Sequence, residues 1–116
     1  MNNFLSLRVI TLETDKLDHQ PVYERVLALA RRRGLAGATA SRGIAGFGQS
    51  QRLHSAKIVQ LSMDLPVVVE VIDRADKIRA FKAELDQLLQ KGVTTCQPVE
   101  ATIHSAPPVD EPPPGA

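Results

Sequence analysis

The run Val67-Val68-Val69-Glu70-Val71-Ile72 constrains this chain more than any other feature, because it is β-branched and apolar at every position but one. Such a run suits a strand whose two faces are both at least partly covered, which places it inside a sheet rather than at its rim. Pro66 precedes it, at a position where a strand can start without an N–H to donate. Directly after it, Ile78, Phe81, Leu85, Leu88 and Leu89 recur at intervals of three and four, so a helix is expected over Ala75 to Gln90, with Gly92 as its stop. A central strand feeding straight into an amphipathic helix is half of a strand–helix–strand unit.

The other half lies upstream. Leu5, Leu7 and Val9 alternate with Ser6 and Arg8 before the pattern passes to Ile10 and Leu12, as in a strand buried mainly on one face. A polar stretch, Glu13 to Gln20, leads to Pro21, which tolerates the first turn of a helix. Val22, Val26, Leu29 and Ala30 follow at helical spacing, and Gly34 supplies a left-handed end. Arg31, Arg32 and Arg33 fall in the last turn, where cations oppose the negative end of the helix dipole. Ala38 to Ile44 reads as a weaker second strand, with Leu65 to Asp73 as the third. Val93 to Cys96 and Val99 to Ile103 read as a last strand interrupted at Pro98, hence an edge.

The order is strand, helix, strand, strand, helix, strand. Two right-handed crossovers then place both helices on one face of an antiparallel sheet, giving an α+β sandwich of the ferredoxin-like βαββαβ kind. Two helices cover only one sheet face, so the other is expected to be covered by further copies of the chain. A chain of 116 residues makes one such domain. We assign residues 1–104 to it and residues 105–116 to a disordered proline-rich tail, whose composition cannot repay the entropy of ordering.

Charge and cysteine content narrow the function. Fourteen basic and 13 acidic residues leave a net charge of +1, so there is no one-sided field to draw in nucleic acid or an anionic membrane. No apolar run approaches the roughly 20 residues that span a bilayer. The single cysteine, Cys96, cannot close an intrachain disulfide, and the N-terminus lacks the pattern of a secretory signal, so the cytoplasm is the expected compartment.

Chemistry concentrates in Ser41-Arg42-Gly43-Ile44-Ala45-Gly46-Phe47-Gly48-Gln49-Ser50. Three glycines in six positions free the backbone to take positive φ and to approach a ligand closely. Gly43 and Gly48 have the separation of a phosphate-binding P-loop, but Gln49 stands where the lysine should, and a polar stretch follows where a helix should start. An ordinary P-loop enzyme is thereby disfavoured.

In combination with Gly37-Ala38-Thr39, His54-Ser55, Leu61-Ser62, Asp64-Leu65-Pro66 and Val69-Glu70-Val71-Ile72-Asp73, the run Arg42 to Gly48 resembles the family catalogued as domain of unknown function 190, whose members look like relatives of the PII signalling proteins. The resemblance covers Leu5 to Ile103. It implies a PII-like core, commonly a homotrimer, with a long loop between the second and third strands comparable to the PII signalling loop. That loop would be Gln49 to Gln60 here, a surface for a protein partner. The resemblance also implies a nucleotide or other anionic effector bound in clefts between subunits, with no enzymatic activity. The residues themselves name no cofactor, and the basic side chains with which PII proteins grip ATP have no clear match near Gly92.

The ligand-binding candidates are Arg42, Gly43, Gly46, Phe47, Gly48, His54, Ser55 and Glu70. Arg42 can clamp a phosphate or carboxylate with two prongs, or pair with Glu70 or Asp73 of a neighbouring strand. His54 can contact a ligand or simply bond a neighbour, and His19 and His104 offer no metal-ligand spacing. Glu70 needs a partner, across a subunit boundary or near solvent. No second carboxylate, nucleophile or oxyanion donor accompanies it, so catalysis is not expected. Phe47 can stack on a ligand or anchor a hinge. Cys96 has no activating base and is expected to pack. The reading that follows is a PII-like regulator of small-effector type. Its alternative is an interaction module that docks a transporter or enzyme without a small ligand.

Overall fold

The computed structural model describes residues 3–48, 50–55 and 64–105. The expectations for Gln49, for the rest of the loop at 56–63 and for the tail at 106–116 fall outside these residues. Strand β1 (Phe4–Leu12) leads into a two-residue hairpin, β2 (Lys16–Leu17) and β3 (Gln20–Pro21), and then into helix α1 (Val22–Arg32). β4 (Ala38–Arg42) follows, then a second small hairpin, β5 (Ala45–Gly46) with β6 (His54–Ser55). β7 (Pro66–Arg74), α2 (Ala75–Leu88) and β8 (Val93–Val99) complete the order.

The main sheet runs β4-β7-β1-β8, and every neighbouring pair is antiparallel. This is the ferredoxin-like arrangement expected from the element order. Leu7 faces Val71 and Val9 faces Val69 across the central pair. These odd positions, with Leu5 and Val67, point to the helices and meet Val22, Val26 and Ala30 of α1 and Ile78, Phe81 and Leu85 of α2. The even positions of the same strands form the other face. There Ser6, Arg8 and Glu70 lie among Phe4, Ile10, Val68 and Ile72, with Val93 and Val99 of β8 in register with Ile10 and Phe4.

α1 ends as its sequence dictates. Gly34 has φ 71°, Leu35 N–H bonds the Ala30 carbonyl at 3.1 Å and Gly34 N–H bonds that of Arg31 at 3.1 Å, the pair of bonds of a Schellman end. Arg33 goes further than capping: its guanidinium takes both carboxylate oxygens of Glu84 and fastens the end of α1 to α2.

α2 differs from expectation. It stops at Leu88, and Leu89 leaves in an extended conformation, so Gly92 is not its stop. Gly92, at φ 94°, instead lies against the end of β1, where a Cβ would stand 2.6 Å from the Ile10 carbonyl oxygen. The last strand is continuous through Pro98, which β8 tolerates because it pairs on one side only, with β1.

The two ends of the sheet are built differently. At one, buried Asp73 accepts the Ala36 N–H at 2.8 Å and the Arg74 N–H at 2.7 Å, while Ala75 N–H bonds the Asn3 carbonyl at 2.8 Å. At the other end lie Leu12, Arg42 and Pro66, and beyond them the glycine run.

Candidate functional site

The glycine run forms a corner. β4 ends at Arg42, Gly43 N–H bonds the Pro66 carbonyl at 2.7 Å, and the chain then turns into the β5–β6 hairpin. Gly46 passes over the Pro66 ring, where a Cβ would approach the ring carbon to 3.0 Å. Close packing thus accounts for Gly46 alone, Gly43 having ordinary contact with Pro66 and Gly48 having nothing within 4 Å, and none of the three uses positive φ, since the glycines with positive φ among the described residues are Gly34 and Gly92. In this loop the left-handed residue is Gln51, at φ 64°.

Arg42 pairs neither with Glu70 nor with Asp73. Its Nη2 donates to Oε2 of Glu13, the first residue beyond β1. Register explains this: Arg42 stands opposite Val67, on the odd-numbered face of β7, whereas Glu70 is on the other face and three residues on, about 10 Å along the strand. Glu13 is itself pinned, its N–H bonding the Leu65 carbonyl at 2.8 Å. Next to it, Thr14 Oγ1 donates to Asp64 at 2.6 Å. Among the described residues Glu13 Oε1, which is buried, meets no donor, and the same holds for Thr11 Oγ1 two residues earlier.

Of the residues singled out from the sequence, the structure therefore brings Arg42, Gly43, Gly46, Phe47 and Gly48 to one corner. His54 and Ser55 join them through their backbones, opposite Gly46 and Ala45. Phe47 does not anchor a hinge in the core: it is 65% exposed, and Ile44 and Leu53 of the same loop are also exposed, at 84% and 50%. Glu70 does not join them. It accepts from Ser6 Oγ at 2.9 Å and from Arg8 Nε at 3.0 Å within its own chain. Those two bonds, Ser6 first, hold its carboxyl below the ordinary value, against the opposing effect of partial burial.

Cys96 is exposed rather than packed, because β8 is the sheet's edge. Among the described residues, no three His, Cys, Asp or Glu side chains gather to hold a metal ion. A groove of about 290 Å³ lies elsewhere, between α1 and the last turn of α2, and contains none of the candidates. No helix among the described residues is long and apolar enough to cross a membrane.

Sequence reasoning missed Glu13. It stands in a polar stretch whose composition suggests only solvent exposure, and nothing local announces a partner 29 residues away. The one available signal was its place immediately after a strand, level with the end of its neighbours.

Comparison with known proteins agrees with this architecture. A UPF0166 protein of Aquifex aeolicus is 40% identical over 94 residues, spanning 81% of this chain and 89% of the relative. Among solved structures, CPII from Thiomonas intermedia K12 bound to ADP and bicarbonate superposes with a TM-score of 0.56 at 18% identity, over 81% of this chain and 83% of that one. Arabidopsis thaliana PII bound to citrate gives a TM-score of 0.55 at 16% identity, over 85% and 79%. These likenesses make the fold PII-like. The family model DUF190, described as uncharacterized ACR, matches residues 4–101, and the chain belongs to that family.

Proposed function

We propose that this protein is a PII-like regulator that binds a small anionic effector, a nucleotide being the leading class, at the Arg42–Gly48 corner. The observation that carries the reading is the corner itself. An arginine at a strand end, the close approach of Gly46 to Pro66 and the paired β5–β6 strands converge at one end of the sheet. Two proteins of the same fold were solved with anions, one with ADP and bicarbonate and one with citrate.

The face without helices supports assembly. Phe4, Ile10, Val68, Ile72, Val93 and Val99 line it, and Ile10 and Val93 are 38% and 54% exposed in the single chain. Covering that face with two further copies buries these side chains and brings a neighbour to each corner, so the effector cleft lies between subunits of a homotrimer. The effector acts by binding one arrangement of the loop after β5 better than another, and it shifts the loop only by that difference in affinity.

A thermal-shift panel of nucleotides, bicarbonate, citrate and phosphate tests the reading. A ligand at a hundred times its Kd adds about 2.7 kcal/mol, or roughly 11–22 °C for a domain of about this size. No shift with any anion refutes it. A second reading, a docking module without a small effector, is favoured by one observation: Ile44, Phe47 and Leu53 are exposed on the same loop. It is supported instead if the panel is silent and Phe47→Asp abolishes capture of a protein partner that the wild type retains.

A further inference from the structure

We infer that Glu13 is an intramolecular competitor for Arg42, so that the corner admits polyanions, above all a diphosphate, and rejects single carboxylates; the inference rests on the effector reading above. Arg42 is already engaged. Its side chain is half exposed but donates to Glu13, whose side chain keeps only 15% of its surface accessible. A tethered carboxylate acts at an effective concentration in the millimolar range or above, so a monoanion in free solution must exceed that to take its place.

The geometry of the pair says which anions succeed. Glu13 uses one oxygen, Oε2, on one nitrogen, Nη2, so the other guanidinium donors are not committed to it. A single carboxylate can take the guanidinium with two oxygens just as a phosphate can, so it only matches Glu13 in kind and has the tether to overcome, whereas a diphosphate brings more charge and more oxygens than the single contact it replaces. Glu13 is also poorly satisfied where it sits, because Oε1 is buried and meets no donor among the described residues. An unmade hydrogen bond at a carboxylate raises the energy of the closed arrangement, and swinging the carboxylate into water recovers it. Displacement is therefore favoured by release as well as by the incoming contact.

The side chain can leave without unravelling its surroundings. The Glu13 backbone stays pinned to Leu65, and Thr14 stays on Asp64. Glu13 thus behaves as a gate on a fixed hinge rather than as part of a folding nucleus.

The test titrates the full-length protein with inorganic phosphate and with pyrophosphate, followed by calorimetry and by the NMR resonance of Arg42 Nε–H. In the wild type pyrophosphate shifts that resonance at a concentration at least tenfold below phosphate. Glu13→Gln tightens both by 5-fold or more and narrows the gap between them, while Arg42→Gln loses both. Glu13→Asp, whose shorter reach withdraws the carboxylate, tightens both to a lesser degree and serves as the second variant should Glu13→Gln fold poorly. Unchanged or weaker binding in Glu13→Gln and Glu13→Asp overturns the competition. A nucleotide that binds equally well to the wild type, Glu13→Gln and Arg42→Gln overturns it while leaving an effector site standing. Silence of the wild type toward every anion removes both readings together.

Discussion

Replacing Gly92 by alanine tests how the second half of the sheet is joined to the first. The residue has φ 94°, in the region where an L side chain crowds the following carbonyl, which costs roughly 1–2 kcal/mol. A new methyl would also stand 2.6 Å from the Ile10 carbonyl oxygen and 2.9 Å from Thr11 Cγ2. The first of these is backbone of β1 at the last residue paired with both β7 and β8, so it cannot move aside cheaply, and overpacking of this kind adds roughly 1–3 kcal/mol. The sum is about 2–5 kcal/mol. Gly34→Ala is the internal control: its φ is 71°, but nothing lies within 4 Å of the added carbon, so only the backbone cost of about 1–2 kcal/mol applies. Urea unfolding of both variants, at equal protein concentration so that any assembly would contribute alike, reads the difference directly. Equal losses for the two variants would refute the claim that Gly92 is required by contact with β1.

Two further outcomes follow from buried and half-buried carboxylates. Glu70 has its pKa lowered in the folded chain by Ser6 and Arg8, so its stabilising effect is complete above the unfolded value and is lost as pH falls through the lower folded value. With the group about one-third exposed, Glu70→Gln should cost about 0.5 kcal/mol near neutral pH and nothing once the pH lies well below the lowered folded value, as read from melting temperatures along a pH series; a constant cost at every pH would exclude the ionised pairing. Asp73→Ala leaves the Ala36 N–H without its acceptor and should cost about 1–3 kcal/mol in urea unfolding, with Asp73→Asn recovering part of it, whereas a loss below 0.5 kcal/mol would show that the amide finds another partner.

The fold was legible because its elements carry strong periods. The odd-numbered apolar positions of β1 and β7 and the three-and-four spacing of α2 each identify a buried face, and the order of the elements leaves few topologies. What escaped has no period to read. The β2–β3 hairpin has strands of two residues, and its turn uses Asp18 and His19 at φ 53° and 68° with no glycine to mark it. Gly92 looked like a helix stop because it follows the last apolar residue of α2, whereas its role is set by packing on β1. At the candidate site most of the residues drawn to one corner were contiguous in sequence, Arg42 to Gly48, with His54 and Ser55 added by the β5–β6 pairing. Glu70 was grouped with them for its chemistry alone, and strand parity separates it from them. The Glu13–Arg42 pair depends on two strand ends being level, which follows only from the register of β1 and β4 on β7.

Asp73 ties one end of the sheet together. Its carboxylate gathers the approach to β4 and the departure of α2 at a single point, beside the Asn3–Ala75 bond and the closed end of α1. On the effector reading proposed above, any rearrangement begun at Arg42 would start at the opposite end of the sheet from this tie, with the whole length of β4 between the two.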